Sequence, residues 1–181
     1  MKQFFWHKKP FRQYLEQNWQ RLYRLAYAWC HQSHTAHDLV QETLNRVMRE
    51  HHQFENNKAL DVWLYKTMAN CWRDQCRRQQ ELVEIDEQPL YSSSNLEAEH
   101  YQRQIQAAIH RAMQQLNMTH RQIITLIDLE GLSYNEVATV LDIPAGTVMS
   151  RLCRARQQLR DLLQQDGIAA GSQESNVRRI K

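Results

Sequence analysis

The stretch from Leu129 to Leu163 constrains the fold more than any other part of the chain, because two helical patterns meet there at a short corner. Ser133 stands three residues before Glu136, which is the spacing of a capping box at a helix N-terminus. We expect this helix to end before Pro144, since proline lacks the backbone N–H that a continuing helix needs but suits the first turn of a new one. The spacing therefore predicts a helix-turn-helix.

The second helix of this unit has two distinct faces. Apolar residues recur on one face at steps of four and three: Val148, Leu152, Ala155, Leu159 and Leu162. Another face carries hydroxyls and guanidinium groups at similar steps: Thr147, Ser150, Arg151 and Arg154. A helix that buries the first stripe and presents the second fits a DNA major groove. The pattern therefore favours DNA binding.

Glycine and proline are scarce, with four and three residues in a chain of 181. Long uninterrupted helices and an all-α fold follow from this scarcity. The net charge of +3 is too small to indicate a class of binding partner, so the positions of the charged residues are more informative than their sum. No signal peptide or membrane-length apolar run is visible, which predicts a cytoplasmic protein without membrane insertion, whose four cysteines stay reduced.

The N-terminal half contains two polar stripes at helical spacing. The first combines Asp38, Gln41, Glu42 and Asn45, and periodicity alone favours simple solvation for it. The segment Phe54–Ala59 breaks the periodicity and is predicted to be a loop. The second stripe lies on the following helix and comprises Lys66, Asn70, Arg73 and Arg77, interleaved with Tyr65 and Trp72. Cations beside aromatic rings suit contact with a phosphate backbone and unstacked bases, although we expect Trp72, like Trp63, to lie mainly in the core.

An abrupt change of composition divides the chain. From Glu81 the sequence is acidic, free of Lys and Arg, and interrupted by Pro89 and a run of serines, which indicates a flexible linker. We therefore predict two small helical domains. The boundaries are an N-terminal extension at 1–10, a first domain at 11–80, an acidic linker at 81–99, a second domain at 100–165 and a disordered tail at 166–181.

Two other classes of protein fit parts of the pattern. A stand-alone helix-turn-helix regulator would bind duplex DNA as a dimer, at an operator with two-fold symmetry. A metal-dependent enzyme or sensor would use the histidines, among them His31, His34 and His37. These three fall in a loop-like run, and no CxxC or HExxH motif is present, so surface histidines without a metal or cofactor are the preferred interpretation.

Several motifs in the right order resemble the sigma-70 family. The string LSYNEVATVLDIPAGTVMSRLCRARQQLR resembles region four of these sigma factors. DLVQE, at 38–42, resembles the segment of region two that binds core polymerase. ALDVWLYKTMAN, at 59–70, resembles the neighbouring segment that handles the minus-ten promoter element. With its two domains, the chain is similar to the extracytoplasmic-function group, which keeps only regions two and four.

The resemblance assigns three sets of residues. The residues that would bind core polymerase are Asp38, Leu39, Gln41, Glu42 and Asn45. Minus-ten DNA binding, including a pocket for a flipped base, falls to Phe54, Asn56, Asn57, Lys58, Lys66, Asn70, Arg73 and Arg77. Minus-thirty-five DNA binding falls to Thr147, Ser150, Arg151, Arg154 and Arg156, the last toward phosphates.

The resemblance also implies how the chain works. It would bind core RNA polymerase and recognise promoter DNA, both as duplex and as melted single strand, without being an enzyme. An anti-sigma factor would hold it inactive, and no small-molecule substrate is expected. The chain departs from the family at several positions: Asn117 and Met118 follow Leu116 where Pro-Pro or Pro-Glu is usual, Asp142 replaces a frequent glycine, Met149 a frequent Lys or Arg, and Cys153 a larger residue or histidine.

Overall fold

The computed structural model describes residues 8–49, 56–81 and 97–166, and within these ranges the chain forms seven α-helices. The helices are α1 (Lys8–Cys30), α2 (Ser33–Arg49), α3 (Asn57–Glu81), α4 (Glu97–Gln115), α5 (Met118–Ile124), α6 (Tyr134–Leu141) and α7 (Ala145–Gln165). A π-helical turn at Thr125–Leu129 continues α5. The predicted all-α fold of two helical parts is confirmed for these residues.

The first part of the fold consists of α1, α2 and α3, which pack in chain order. Their apolar stripes meet in a core that includes Leu22, Trp29, Leu39 and Met68. His31 forms the corner between α1 and α2 with a φ of 58°, and its amide donates to the Tyr27 carbonyl at 2.8 Å. The corner brings α2 back along α1 and leaves the polar stripe of α2 on the outside.

The second part contains the helix-turn-helix, formed by α6 and α7. The predicted capping box is confirmed: Ser133 Oγ accepts from the Glu136 amide, and the Glu136 carboxylate accepts from the Ser133 amide at 2.8 Å. Asp142 ends α6 in the left-handed region, with φ 57° and ψ 50°. Val148 and Leu152 of α7 are buried, as the apolar stripe predicts.

The two parts share one continuous core, because α3 packs against α6 and α1 against α5. The indole N–H of Trp29 donates to Thr125 Oγ1 at 2.8 Å in the buried contact. At its edge, the Glu130 carboxylate accepts from Arg21 Nε and from the Tyr65 hydroxyl, each at 2.5 Å. Buried apolar packing and charge-assisted hydrogen bonds thus hold the two parts together.

Three details of the sequence interpretation are wrong. Helix α3 begins at Asn57, inside the predicted loop, because the Asn56 side chain caps it by accepting from the Ala59 amide at 2.8 Å. His34 and His37 belong to α2 rather than to a loop. His31 is buried rather than on the surface, because the corner turns its ring toward α4.

Other boundaries differ or lie outside the described ranges. Helix α1 begins at Lys8 and α4 at Glu97, each three residues before the predicted start of its domain. Most of the predicted linker, the first seven residues and the tail from residue 167 onward lie outside the described residues. None of the helices in the described ranges is long and apolar enough to cross a membrane.

Candidate functional site

An acidic and amide-bearing face lies on the outer side of α2. Asp38, Gln41 and Asn45 are exposed there, and Glu42 is half-buried beside them. These four side chains line a cleft of about 220 Å³, together with Arg46, Cys71, Gln75 and Arg78. The structure therefore brings four of the five predicted polymerase-binding residues together on one surface, which we call the α2 face.

Arg46 joins the α2 face to α3, and it is absent from the residues predicted above. Its Nε donates to the Glu42 carboxylate at 2.8 Å, while its Nη1 donates to Asp74 of α3 at 3.2 Å. The hydrogen bond with Glu42 is the main cause that raises the pKa of Arg46. Glu42 and Arg46 are four residues apart, a spacing at which oppositely charged side chains meet on a helix, so this signal was available.

Leu39, the fifth residue of the predicted polymerase-binding set, does not lie on the α2 face. Its side chain is completely buried in the core between the first three helices, so no partner can touch it in this arrangement. The cause is its position on α2: it shares the buried side of the helix with Val40 and Thr43, while Asp38 and Gln41 point outward. Leu39 supports the α2 face from beneath.

The basic stripe of α3 lies along one side of the helix. Arg73 and Arg77 are exposed, whereas Lys66 and Asn70 are half-buried. Arg73 donates to Asn70 Oδ1 at 3.1 Å, which joins two members of the stripe. The structure therefore keeps all four predicted residues on one surface, with their polar groups accessible at least in part.

The first turn of α3 carries three further predicted DNA-binding residues: Asn56, Asn57 and Lys58. All three are exposed. Lys58 pairs with Glu136 of α6 at 2.9 Å, and Asn56 is occupied in capping α3. Burial acts to raise the pKa of Glu136, but hydrogen bonds from Lys58 and Ser133 outweigh it and lower the pKa. Phe54, the remaining member of the minus-ten set, lies outside the described residues.

The predicted DNA-reading residues of α7 differ in their surroundings. Arg154 is exposed, whereas Thr147 and Arg151 are half-buried. The Ser150 hydroxyl donates back to the Thr147 carbonyl at 3.1 Å. Arg156 donates to the Asp128 carboxylate through Nε and Nη2 and so ties α7 to the π-helical turn. Of the five residues, Arg154 is the one most open to a ligand.

A cleft of about 240 Å³ lies where the two parts of the fold meet. Arg73 of α3 and Arg151 of α7 both line it, together with residues 141–143 at the corner of the helix-turn-helix. Arg73 Nη2 also donates to the Leu141 carbonyl at 3.4 Å. Residues assigned to two different promoter elements are therefore neighbours in this arrangement.

Histidine and cysteine side chains form no cluster of three or more metal-ligating groups within the described ranges. The His31 ring lies edge-on to that of His110 of α4, with 4.9 Å between their centroids. Burial lowers the pKa of His31 to about 4, and the nearby Arg121 and His110 act in the same direction. Burial likewise raises the pKa of Cys30 to about 11, which keeps this thiol protonated at neutral pH.

Two family models match the chain. The model described as Sigma-70 region 2 matches residues 14–81, and the model described as Sigma-70, region 4 matches residues 106–159. The first range holds the α2 face and the basic stripe of α3. The second range holds the helix-turn-helix.

Sigma factors are also among the related proteins. The ECF RNA polymerase sigma factor SigE of Mycolicibacterium smegmatis is 34% identical over 154 residues, which are 82% of this chain and 60% of that protein. The chain thus spans less than two thirds of that relative. The RNA polymerase sigma-H factor of Pseudomonas aeruginosa is 31% identical over 153 residues, which are 77% of this chain and 79% of that protein.

Two solved structures have a similar fold. The sigma factor RpoE of Bartonella quintana, in complex with the anti-sigma factor NepR, is 26% identical with a TM-score of 0.69, and the match covers 86% of this chain and 98% of that one. CnrH, in complex with the cytosolic domain of CnrY, is 22% identical with a TM-score of 0.64, over 89% and 92% of the two chains. The second likeness concerns the fold alone.

Proposed function

The chain belongs to the extracytoplasmic-function group of sigma-70 family RNA polymerase sigma factors, and from this premise we propose that it binds core RNA polymerase and directs it to promoters. The observation that supports this proposal most is that one chain carries both sigma-70 regions, each with an exposed polar face suited to a different partner. The α2 face is the docking surface for polymerase. Helices α3 and α7 contact DNA.

Docking through the α2 face rests on charge and shape. Asp38 and Glu42 contribute negative charge to the lining of the cleft, and Gln41 and Asn45 add amide groups that can donate and accept hydrogen bonds. Arg46 holds Glu42 in place, which reduces the entropy lost when the carboxylate binds. The surface suits a partner that offers arginines or lysines along a rigid element.

DNA binding divides between two helices. The basic stripe of α3, with Lys58 at its start, follows the non-template strand of the melted minus-ten element, where cations neutralise phosphates. Helix α7 lies in the major groove of the minus-thirty-five element, with Arg154 as its most accessible donor to base edges. The chain itself performs no chemistry; polymerase makes the RNA.

The proposal requires the two parts of the fold to separate on the promoter. The centres of the two elements are about 25 base pairs apart, which is about 85 Å along B-DNA. Arg73 and Arg151 cannot serve elements that far apart while they line the same cleft. Residues 82–96 connect the two parts and, fully extended, reach about 50 Å. The arrangement in which α3 packs against α6 and α1 against α5 therefore belongs to the free chain, not to the chain bound at a promoter.

Regulation by an anti-sigma factor is part of the proposal. Its support is that the RpoE structure contains an anti-sigma factor, NepR. Such a partner would bind the free chain in the cytoplasm, where core polymerase is also found.

Charge reversal on the α2 face tests the proposal directly. Asp38→Lys with Glu42→Lys is expected to weaken binding to core polymerase at least tenfold, because two attractive charges become repulsive. Glu16→Lys is the matched control, since Glu16 is an exposed acid on α1 that also pairs with an arginine four residues away. Affinity is measured by fluorescence anisotropy with labelled full-length chain, and circular dichroism checks folding. Equal affinity for all three chains would contradict the docking role.

A further inference from the structure

The exposed side of α7 includes two sulfur-bearing residues, one helical turn apart. Met149 exposes 54% of its surface, which is high for a large apolar side chain, and Cys153 is also exposed. Both lie away from the stripe of Val148, Leu152 and Ala155 that packs into the core. An apolar surface left in water at this point adds nothing to the folding of α7.

The neighbours of this pair leave it accessible. Gly146 lies one turn before Met149, and a Cβ placed on it would meet no atom within 4 Å, so a ligand can approach closely there. Ser150 directs its hydroxyl to the Thr147 carbonyl, and Arg156 is bound to Asp128. Two of the five polar residues assigned to DNA reading are thus engaged within the chain, while Met149 and Cys153 face outward.

We infer that Met149 and Cys153 form an apolar reading pair that selects thymine in the upstream element by contact with its 5-methyl group. In the major groove, thymine is the one base that presents a methyl group. A thioether and a thiol cannot make the bidentate hydrogen bonds with which arginine reads guanine, but they pack well against a methyl group. The inference rests on the proposed function, which places α7 in that groove.

This chemistry gives a different specificity from that of a basic residue at position 149. Lysine or arginine there would add a phosphate or guanine contact and a dependence on salt. Met149 makes no such contact, so its contribution is independent of salt and sensitive to a single methyl group. Arg154, further along the helix, supplies the hydrogen bonding that the pair lacks.

The experiment replaces thymine by uracil, which differs by that methyl group alone. The upstream element is first selected from random duplexes with the full chain bound to core polymerase. Each thymine of the selected duplex is then changed singly to deoxyuridine, and affinity is measured by anisotropy. At one or two positions we expect about a fourfold loss, the effect of burying one methyl group.

Variants assign the effect to the pair. Met149→Ala with Cys153→Ala is expected to bind the thymine and uracil duplexes equally. The control Met48→Ala, at a comparably exposed methionine of α2, should keep the discrimination. Discrimination that persists in the double variant, or its absence from the wild-type chain, would overturn the inference. If no upstream element can be selected at all, the proposed function fails and the inference with it.

Discussion

His31 adopts a left-handed backbone conformation and packs its ring against His110 of α4. It lies near Arg121 of α5, so protonation would place two positive groups close together in a buried space. Burial also lowers the pKa of His110. Both histidines are therefore neutral in the folded chain at neutral pH, and we expect acid to weaken this ring contact between α4 and the corner of α1 and α2.

The pH dependence of stability follows from the lowered pKa of His31. Above its usual value of about 6.5, the residue is neutral in both the folded and unfolded states, and its contribution to stability is fully present. As the pH falls toward 4, the unfolded state binds the proton first, so the free energy of unfolding decreases by up to about 1.4 kcal/mol per pH unit. Urea denaturation at pH 7.5 and pH 5 measures the effect.

His31→Asn is the matched variant, because asparagine does not titrate and tolerates a positive φ. Its free energy of unfolding is expected to change less between pH 7.5 and pH 5 than that of the wild-type chain. Comparing these two values of pH keeps the contribution of carboxylates such as Glu136 small. The same pH dependence in both proteins would contradict the burial of a neutral His31.

At the scale of the element, the corner of the helix-turn-helix depends on Asp142. Its left-handed conformation ends α6. Together with Pro144 at the start of α7, it determines the angle between the two helices. Asp142→Ala is expected to lower the free energy of unfolding by about 1 kcal/mol, because the Cβ of either residue crowds the backbone in this region but only the aspartate side chain can offset the strain with local hydrogen bonds. Asp142→Gly should retain or raise it. Thermal unfolding of the wild-type chain and the two variants measures these differences. Equal stability of the Ala and Gly variants would contradict backbone strain at position 142.

Local patterns predicted this element well, and the reasons are physical. The capping box and the proline corner involve residues at most a few positions apart, so spacing alone reveals them. The start of α3 was misplaced because a single capping side chain, Asn56, converts polar residues into a first turn. The burial of His31 and Leu39 depends on which side of a helix meets a distant partner, which the sequence pattern did not resolve.

The packing of the two parts against each other could not be predicted from the sequence, because it also depends on contacts between residues that are far apart in the chain. The polar pairs that hold it join residues 96 and 109 positions apart, namely Trp29 with Thr125 and Arg21 with Glu130. The composition indicated two domains and a linker, but no sequence pattern indicated that the surfaces of the two domains are complementary. The resemblance to sigma factors supplied the polymerase-binding role of the α2 face, which periodicity alone had left as a solvated stripe, whereas the DNA-binding character of α3 and α7 followed from their residues.

At the scale of the whole molecule, the buried hydrogen bond from Trp29 to Thr125 tests this docking. Thr125→Val keeps the volume but removes the acceptor, so the indole N–H loses its partner inside the core. The free energy of unfolding is expected to fall by about 1–3 kcal/mol. Thr125→Ser retains the hydroxyl, so its free energy of unfolding should fall less than that of Thr125→Val. Chemical denaturation compares the two variants, and equal stability would argue against the contact.

The central claim is that this chain gives core RNA polymerase the ability to start at promoters, and one measurement tests it most directly. Core polymerase, with or without the full chain, transcribes a library of bacterial DNA fragments, and the 5′ ends of the RNAs are mapped. We expect transcripts that depend on the chain and share two upstream sequence elements. Transcription from the same positions with and without the folded chain would contradict it.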